Sequence, residues 1–206
     1  PIASVPLYQR GADGGSALAQ NRLGLLYLDG ALVIQDYERA GELLCAAAEA
    51  GDANGRFNCA LMQLDGQGMD KSVDAALANL ETASAANHIG AMNVLAQIYA
   101  TGEVVPANTE RAIELFQKTA SYGNPVGLYS LGQAYVLGLG LDKDLVKAHA
   151  YFNLAAAQQH PEALQARQML DQQLKAEEVA EAQRIARAWR PAELPKAEPT
   201  EAPAKN

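Results

Sequence analysis

Shifted by 36 residues, the sequence falls back onto itself three times. Gly138 lands on Gly102, Gly66 and Gly30, and Ala148 on Ala112, Ala76 and Ala40. Leu131 lands on Leu95, Cys59 and Leu23, and Phe152 on Phe116, Leu80 and Leu44. Tyr135 lands on Tyr99 and Tyr27, with Gln63 as the exception in the second copy. A period of this length belongs to chains made of supersecondary units that cannot bury their apolar faces alone and must stack on one another. Any fold proposed for the chain has to be a repeat architecture.

Each copy holds two helical segments. Ala40, Leu43, Leu44, Ala47 and Ala48 follow the i, i+3, i+4, i+7, i+8 spacing of an amphipathic helix. Leu23, Gly24 and Tyr27 share one face of the segment before it. Gly30 and its equivalents mark the turn between the two, where a positive φ is needed. Gly51, Asn87 and Gly123 follow the second helix and suit its left-handed C-terminal cap. Gly24, Ala60, Ala96 and Gly132 allow close approach of the paired helices. Alanine and leucine dominate the 49% hydrophobic residues and aromatics make up only 6%, which favours helix over strand. The expected fold is all-α.

The order Leu131, Gly132, Tyr135, Gly138, Gly140, Asp144, Lys147, Ala148, Tyr151, Phe152, Ala155, Ala156 resembles the Sel-1-like repeat, a relative of the tetratricopeptide repeat. The resemblance implies a right-handed α/α solenoid of antiparallel helix pairs with copies at 16–51, 52–87, 88–123 and 124–160. Residues 1–15 are expected to be the remnant of a helix or a leader, since 6–14 match an earlier second helix. Residues 161–190 are expected to form a capping hairpin, with helices over 161–174 and 176–189, Pro161 in a first turn and Trp189 sealing the core. The proline-punctuated segment 191–206 is expected to be disordered. Repeat 2 departs most from the pattern, with Gln63 for tyrosine and Asn79 where the others have Leu43, Leu115 and Tyr151.

Several chemistries are excluded or left without support. A net charge of −8 opposes nucleic-acid binding, which depends on cationic side chains releasing counterions. No run of about 20 apolar residues is present to span a bilayer. The glycine pairs Gly138/Gly140 and Gly66/Gly68 lack both the third glycine of a dinucleotide loop and the GK[ST] of a phosphate loop, so they read as turns. No cofactor is implied. His88 and His160 sit between units and His149 on a second helix; none has the i, i+4 partner of a metal site, and the loop histidines are expected to face solvent. Acidic residues such as Asp142, Asp144, Glu177 and Glu178 are expected in helix first turns, where the macrodipole favours them. No serine has a lysine three residues on, so no catalytic residue is assigned. Cys45 and Cys59 lie symmetrically about the turn at Asp52 and could form a disulfide. Because Cys45 aligns with Glu81, Gln117 and Asn153 whereas Cys59 aligns with core leucines, a free, buried Cys59 is the expected state.

By analogy with the tetratricopeptide fold, the first helices line a concave groove. Asn21, Phe57, Asn93 and Tyr129 form one row, and Leu25, Leu61, Gln97 and Gln133 the next. Carboxamides offer donor and acceptor to a peptide backbone, and the aromatics offer anchor area. The function expected is a non-enzymatic, bacterial interaction scaffold for a peptide or protein ligand, with a peptidoglycan- or β-lactam-binding protein of weak hydrolytic activity as the alternative. Oligomeric state stays open. Starting at Pro1 and not at methionine, the chain reads as processed or trimmed, and a periplasmic or secreted location is favoured over a cytoplasmic one.

Overall fold

A computed structural model describes residues 4–195, which divide into two compact units, 4–91 and 92–195. All regular structure among the described residues is helical. The first unit contains α1 (Val5–Asp13), α2 (Ala17–Asp29), α3 (Tyr37–Glu49), α4 (Ala53–Asp65) and α5 (Val73–Ala85). In it α2 packs on α1 and α3, and α4 packs on α3 and α5. Helix α6 (Ile89–Thr101) begins at the end of this unit and has its body in the second, which adds α7 (Thr109–Ser121), α8 (Pro125–Leu137), α9 (Leu145–Ala157), α10 (Ala163–Asp171) and α11 (Ala176–Ala188). There α8 packs on α7 and α9, and α9 carries α10 and α11 as well.

The 36-residue interval recurs in the backbone bonding. The N-cap residue of each second helix donates its N–H to the carbonyl at the tyrosine position nine residues earlier: Asp36 to Tyr27 (3.0 Å), Ser72 to Gln63 (2.9 Å), Asn108 to Tyr99 (2.8 Å) and Asp144 to Tyr135 (3.0 Å). The same four side chains accept from the third helical N–H, satisfying an otherwise orphaned donor. In Asp144 burial alone would raise the pKa, but the Lys147 N–H and ammonium outweigh it and hold the carboxyl below its usual range. Asp144 is thus a cap, Glu177 and Glu178 do occupy a first turn, and Asp142 lies in the turn before α9 instead of in a helix. The loop these bonds close requires a left-handed residue at its start, and Gly138, with φ of 70°, supplies it in the fourth copy.

Packing follows from small residues facing large ones. Leu23, Leu44, Leu80, Leu95 and Leu128 are fully buried. A Cβ placed on Gly24 would lie 2.7 Å from Leu44 Cγ, and one on Gly132 2.6 Å from Phe152 Cε1. A second row of small residues, Ala19, Gly55, Ala91, Gly127 and Ala163, also recurs at 36 residues and is buried throughout. A Cβ on Gly127 would sit 2.7 Å from the Ala120 backbone nitrogen, so α8 rests directly on the end of α7.

The structure corrects several expectations. Cys45 and Cys59 are joined as a disulfide, with Cα atoms 4.9 Å apart. The turn at Asp52 runs α4 antiparallel beside α3 and sets the two positions side by side; Cys45 is half-buried against the core cluster that holds Cys59, and of the residues it aligns with only Gln117 is exposed, Glu81 and Asn153 being half-buried as well. A cross-link spanning 14 residues contributes about 3 kcal/mol in the chain-entropy account. In the capping hairpin α10 starts at Ala163 and ends at Asp171, shorter than 161–174, because Pro161 and Glu162 form a turn and Glu162 makes no side-chain cap bond. Trp189 packs on the cluster of Leu128, Leu131, Ala155 and Ala163. The expected disorder over 191–206 begins too early: the Ala192 N–H donates to Ser121 O at 2.7 Å, while 196–206 lie outside the described residues.

Gly127→Ala should destabilise the protein by about 1–3 kcal/mol through overpacking against backbone that cannot yield. Thermal unfolding followed by circular dichroism should report a melting point lower by roughly 2–4 °C per kcal/mol.

Candidate interaction site

The residues picked as groove-lining do not stand free. At three of the four positions in their row, the side chain meets the residue 31 later, in the short segment that leads into the first helix of the next copy. Phe57 packs against the His88 ring at 4.7 Å between centroids, and Tyr129 stacks on His160 at 4.1 Å. Asn93 Nδ2 donates to Asn124 Oδ1 at 3.0 Å, an oxygen that also caps the Val126 and Gly127 N–H groups. Aromatic therefore meets imidazole, and carboxamide meets carboxamide. Asn21 is buried at 4% exposure, its Oδ1 accepting from Asn58 Nδ2 at 2.8 Å. In the first unit Leu25 packs against the core cluster and Leu61 is half-buried. In the second, Gln97 and Gln133 are exposed, and Gln133 Nε2 donates to the Tyr129 hydroxyl at 3.3 Å.

The second unit gathers Tyr129 and Gln133 with Val136 and Leu137 of α8, Phe152 of α9, and Ala166, Met169, Leu170 and Gln173 around a cleft of about 230 Å³. Its walls are apolar apart from the phenol and two carboxamides. Leu137 and Met169 are 72% and 58% exposed, large apolar side chains left unused by the core. Burial of the Tyr129 hydroxyl, helped by the adjacent Glu162 carboxylate, raises its pKa, so the phenol stays protonated and can donate. Sequence reasoning found Tyr129 and Gln133 but missed the wall from α10; Leu164 and Met169, exposed on a helix read only as a cap, were the available signal.

Polar contacts hold that wall in place. Arg167 Nη1 donates to Asn153 Oδ1 at 3.0 Å, and one turn away His149 Nε2 lies 2.8 Å from Asp171 Oδ1. His149 is 1% exposed, a buried tie between α9 and α10. No group of three His, Cys, Asp or Glu side chains among the described residues could hold a metal ion, and no helix among them is long and apolar enough to cross a membrane.

Antiparallel helix pairs whose turn, cap and core residues return at one interval define a helical-repeat protein of the α-solenoid class. Successive segments 17–52, 53–88, 89–124 and 125–160 match the Sel1 repeat, and the chain belongs to the Sel1 repeat family. Members of the family typically act as scaffolds for protein–protein interaction and are generally non-catalytic. Among solved structures, the chain is similar to a protective antigen of uropathogenic Escherichia coli strains with an SLR fold, at 23% identity and a TM-score of 0.77. That match covers 91% of this chain but 41% of the antigen, so the present chain spans about two-fifths of its length. It is also similar to a Sel1 repeat protein from Oxalobacter formigenes, at 25% identity and a TM-score of 0.69, covering 84% of this chain and 72% of that one. The β-lactam-binding alternative gains no support from these likenesses.

The loop histidines correct another expectation, since both are half-buried against aromatic rings instead of facing water. Burial lowers the pKa of His88 despite the opposing pull of Asp52, and burial likewise lowers that of His160 against Glu162. His88 Nδ1 also accepts the Ala91 N–H at 3.1 Å, a cap that protonation would break. With folded pKa values below the ordinary 6.5, the unfolded chain takes up protons first. Stability is therefore full above pH 6.5 and falls as the pH drops through 6.5 towards the folded values. Melting measured between pH 7.5 and 5.5 should show this fall, and His88→Asn/His160→Asn, which keeps the capping chemistry of Asn124, should flatten it.

Proposed function

We propose that this protein is a non-enzymatic interaction scaffold whose second unit receives a peptide or protein segment in the cleft between Tyr129, Gln133, Leu137, Met169 and Gln173. The observation that carries this reading is the pairing of an apolar cleft with exposed Leu137 and Met169 at its rim. A lining without ionised groups favours an uncharged apolar anchor side chain. Gln133 of α8 and Gln173, just after α10, both line the cleft and offer donor and acceptor to the backbone that carries it. Burying such an anchor is worth about 1.5–3 kcal/mol, enough for weak, reversible capture when backbone hydrogen bonds are added.

Selection from a displayed library of random twelve-residue peptides tests this directly. The intact protein should enrich sequences with a large apolar residue flanked by polar ones. Leu137→Asp/Met169→Asp should weaken binding of an enriched peptide by about tenfold or more, corresponding to roughly 1.4 kcal/mol, with helix content and melting unchanged. Equal binding by the variant, or no enrichment, would remove the cleft from consideration.

A further inference from the structure

Three positions at which the second copy breaks the pattern come together in space. Cys59 stands where the other copies have Leu23, Leu95 and Leu131; Gln63 where they have Tyr27, Tyr99 and Tyr135; Asn79 where they have Leu43, Leu115 and Tyr151. In the structure Asn79 Nδ2 donates to Gln63 Oε1 at 3.1 Å and to Cys59 Sγ at 3.7 Å. Cys59 is in turn bonded to Cys45. The amide has two hydrogens, one for each acceptor, so Gln63 fixes the orientation in which the other hydrogen meets sulfur. A disulfide sulfur is a weak acceptor, whereas a thiolate is a strong one, and a donor at this place therefore stabilises the reduced state of Cys59 more than the oxidised one. The two residues differ in access: Cys59 is 1% exposed and Cys45 is half-buried, so Cys45 is the side from which a thiol approaches.

We propose that the Cys45–Cys59 disulfide is a thiol-exchange site, opened by a dithiol reductant that attacks Cys45 and expels Cys59 as a thiolate held by the Asn79 amide. A reductant thiolate forms a bond to Cys45 Sγ, and the electron pair of the protein disulfide leaves on Cys59 Sγ. The reductant's second thiolate then attacks its own sulfur in the mixed disulfide, closes the reductant as a disulfide and releases Cys45 as a second thiolate. Two electrons pass from dithiol to protein, and the two protons the dithiol gave up are available to the new thiols. The exchange frees α3 from α4 at mid-helix, so the first unit carries a reducible clamp. The leaving thiol sets the rate: the lower its pKa, the faster it departs.

Reduction of the native protein by dithiothreitol, followed by the appearance of free thiols over a concentration series, tests the proposal. The rate should rise linearly with dithiothreitol. It should fall about threefold in Asn79→Leu, the factor expected when the leaving thiol loses about one pKa unit of stabilisation. Asn79→Asp, nearly isosteric and carrying a charge that repels a thiolate, should be slower still while the oxidised protein remains folded by circular dichroism. With glutathione, acid quenching and mass spectrometry should find the adduct on Cys45. A rate that plateaus with dithiothreitol would mean that reduction waits for unfolding and would overturn the proposal. So would unchanged rates in both variants, or an adduct on Cys59.

Discussion

Backbone-to-backbone closeness between consecutive helices is the constraint on which the rest of this structure depends. Where α8 meets α7, Gly127 leaves no room for a single methyl group before the Ala120 nitrogen, and Gly55 stands in the same relation to Ala47 and Ala48 between α4 and α3. At that separation a Leu44 or a Phe152 can reach across its own pair to fill the space over Gly24 or Gly132. Large residues on one helix and small ones on the other are thus a single requirement expressed at two positions, and each copy meets it with a different pair. Close packing of this kind leaves little tolerance for volume change, which is why the small positions recur as strictly as the large ones.

Helices brought so near need their connections closed without long loops. Within each pair, the bond from the second helix's N-cap N–H to the carbonyl nine residues earlier performs that closure, and the side chain of the same residue then caps the helix it begins. Aspartate, serine and asparagine interchange at these positions because an accepting oxygen is all the geometry asks of them. The sequence can drift there while the interval stays intact.

This separates what was legible from what was not. Periodicity exposes positions where the same solution is used each time, and so the all-α class, the helix pairs and the turn at Gly138 could be read from residues alone. It obscures positions where neighbours change together. Phe57 with His88, Asn93 with Asn124 and Tyr129 with His160 are three chemistries at one geometry, and read one residue at a time the histidines looked like solvated loop residues. Cys45 misled in a related way: the polar residues Glu81, Gln117 and Asn153 at its aligned positions suggested a solvent-facing side chain, yet Glu81 and Asn153 are themselves half-buried, and the surroundings of Cys45 are fixed by Cys59 across the hairpin. The cleft was only half legible because α10 lies beyond the last repeat, where the interval continues to Ala163 but the tyrosine and glycine signatures do not.

The pairing also changes what an interaction face on such a chain can be. A row of aromatics and carboxamides already matched to Asn58, His88, Asn124 and His160 has spent much of its bonding capacity inside the protein, and a partner must either displace those contacts or bind beside them. Displacing Asn93 would break its bond to Asn124 Oδ1, the oxygen that also holds the first N–H groups of α8. Binding beside them costs nothing of this kind. In the second unit the second row offers Gln133, whose amide holds the phenol of Tyr129 while its other face meets solvent, and one turn further Leu137 has no partner in the core. In the second unit Tyr129, stacked on His160, then backs the proposed site, which is built one turn further along α8 and completed by α10.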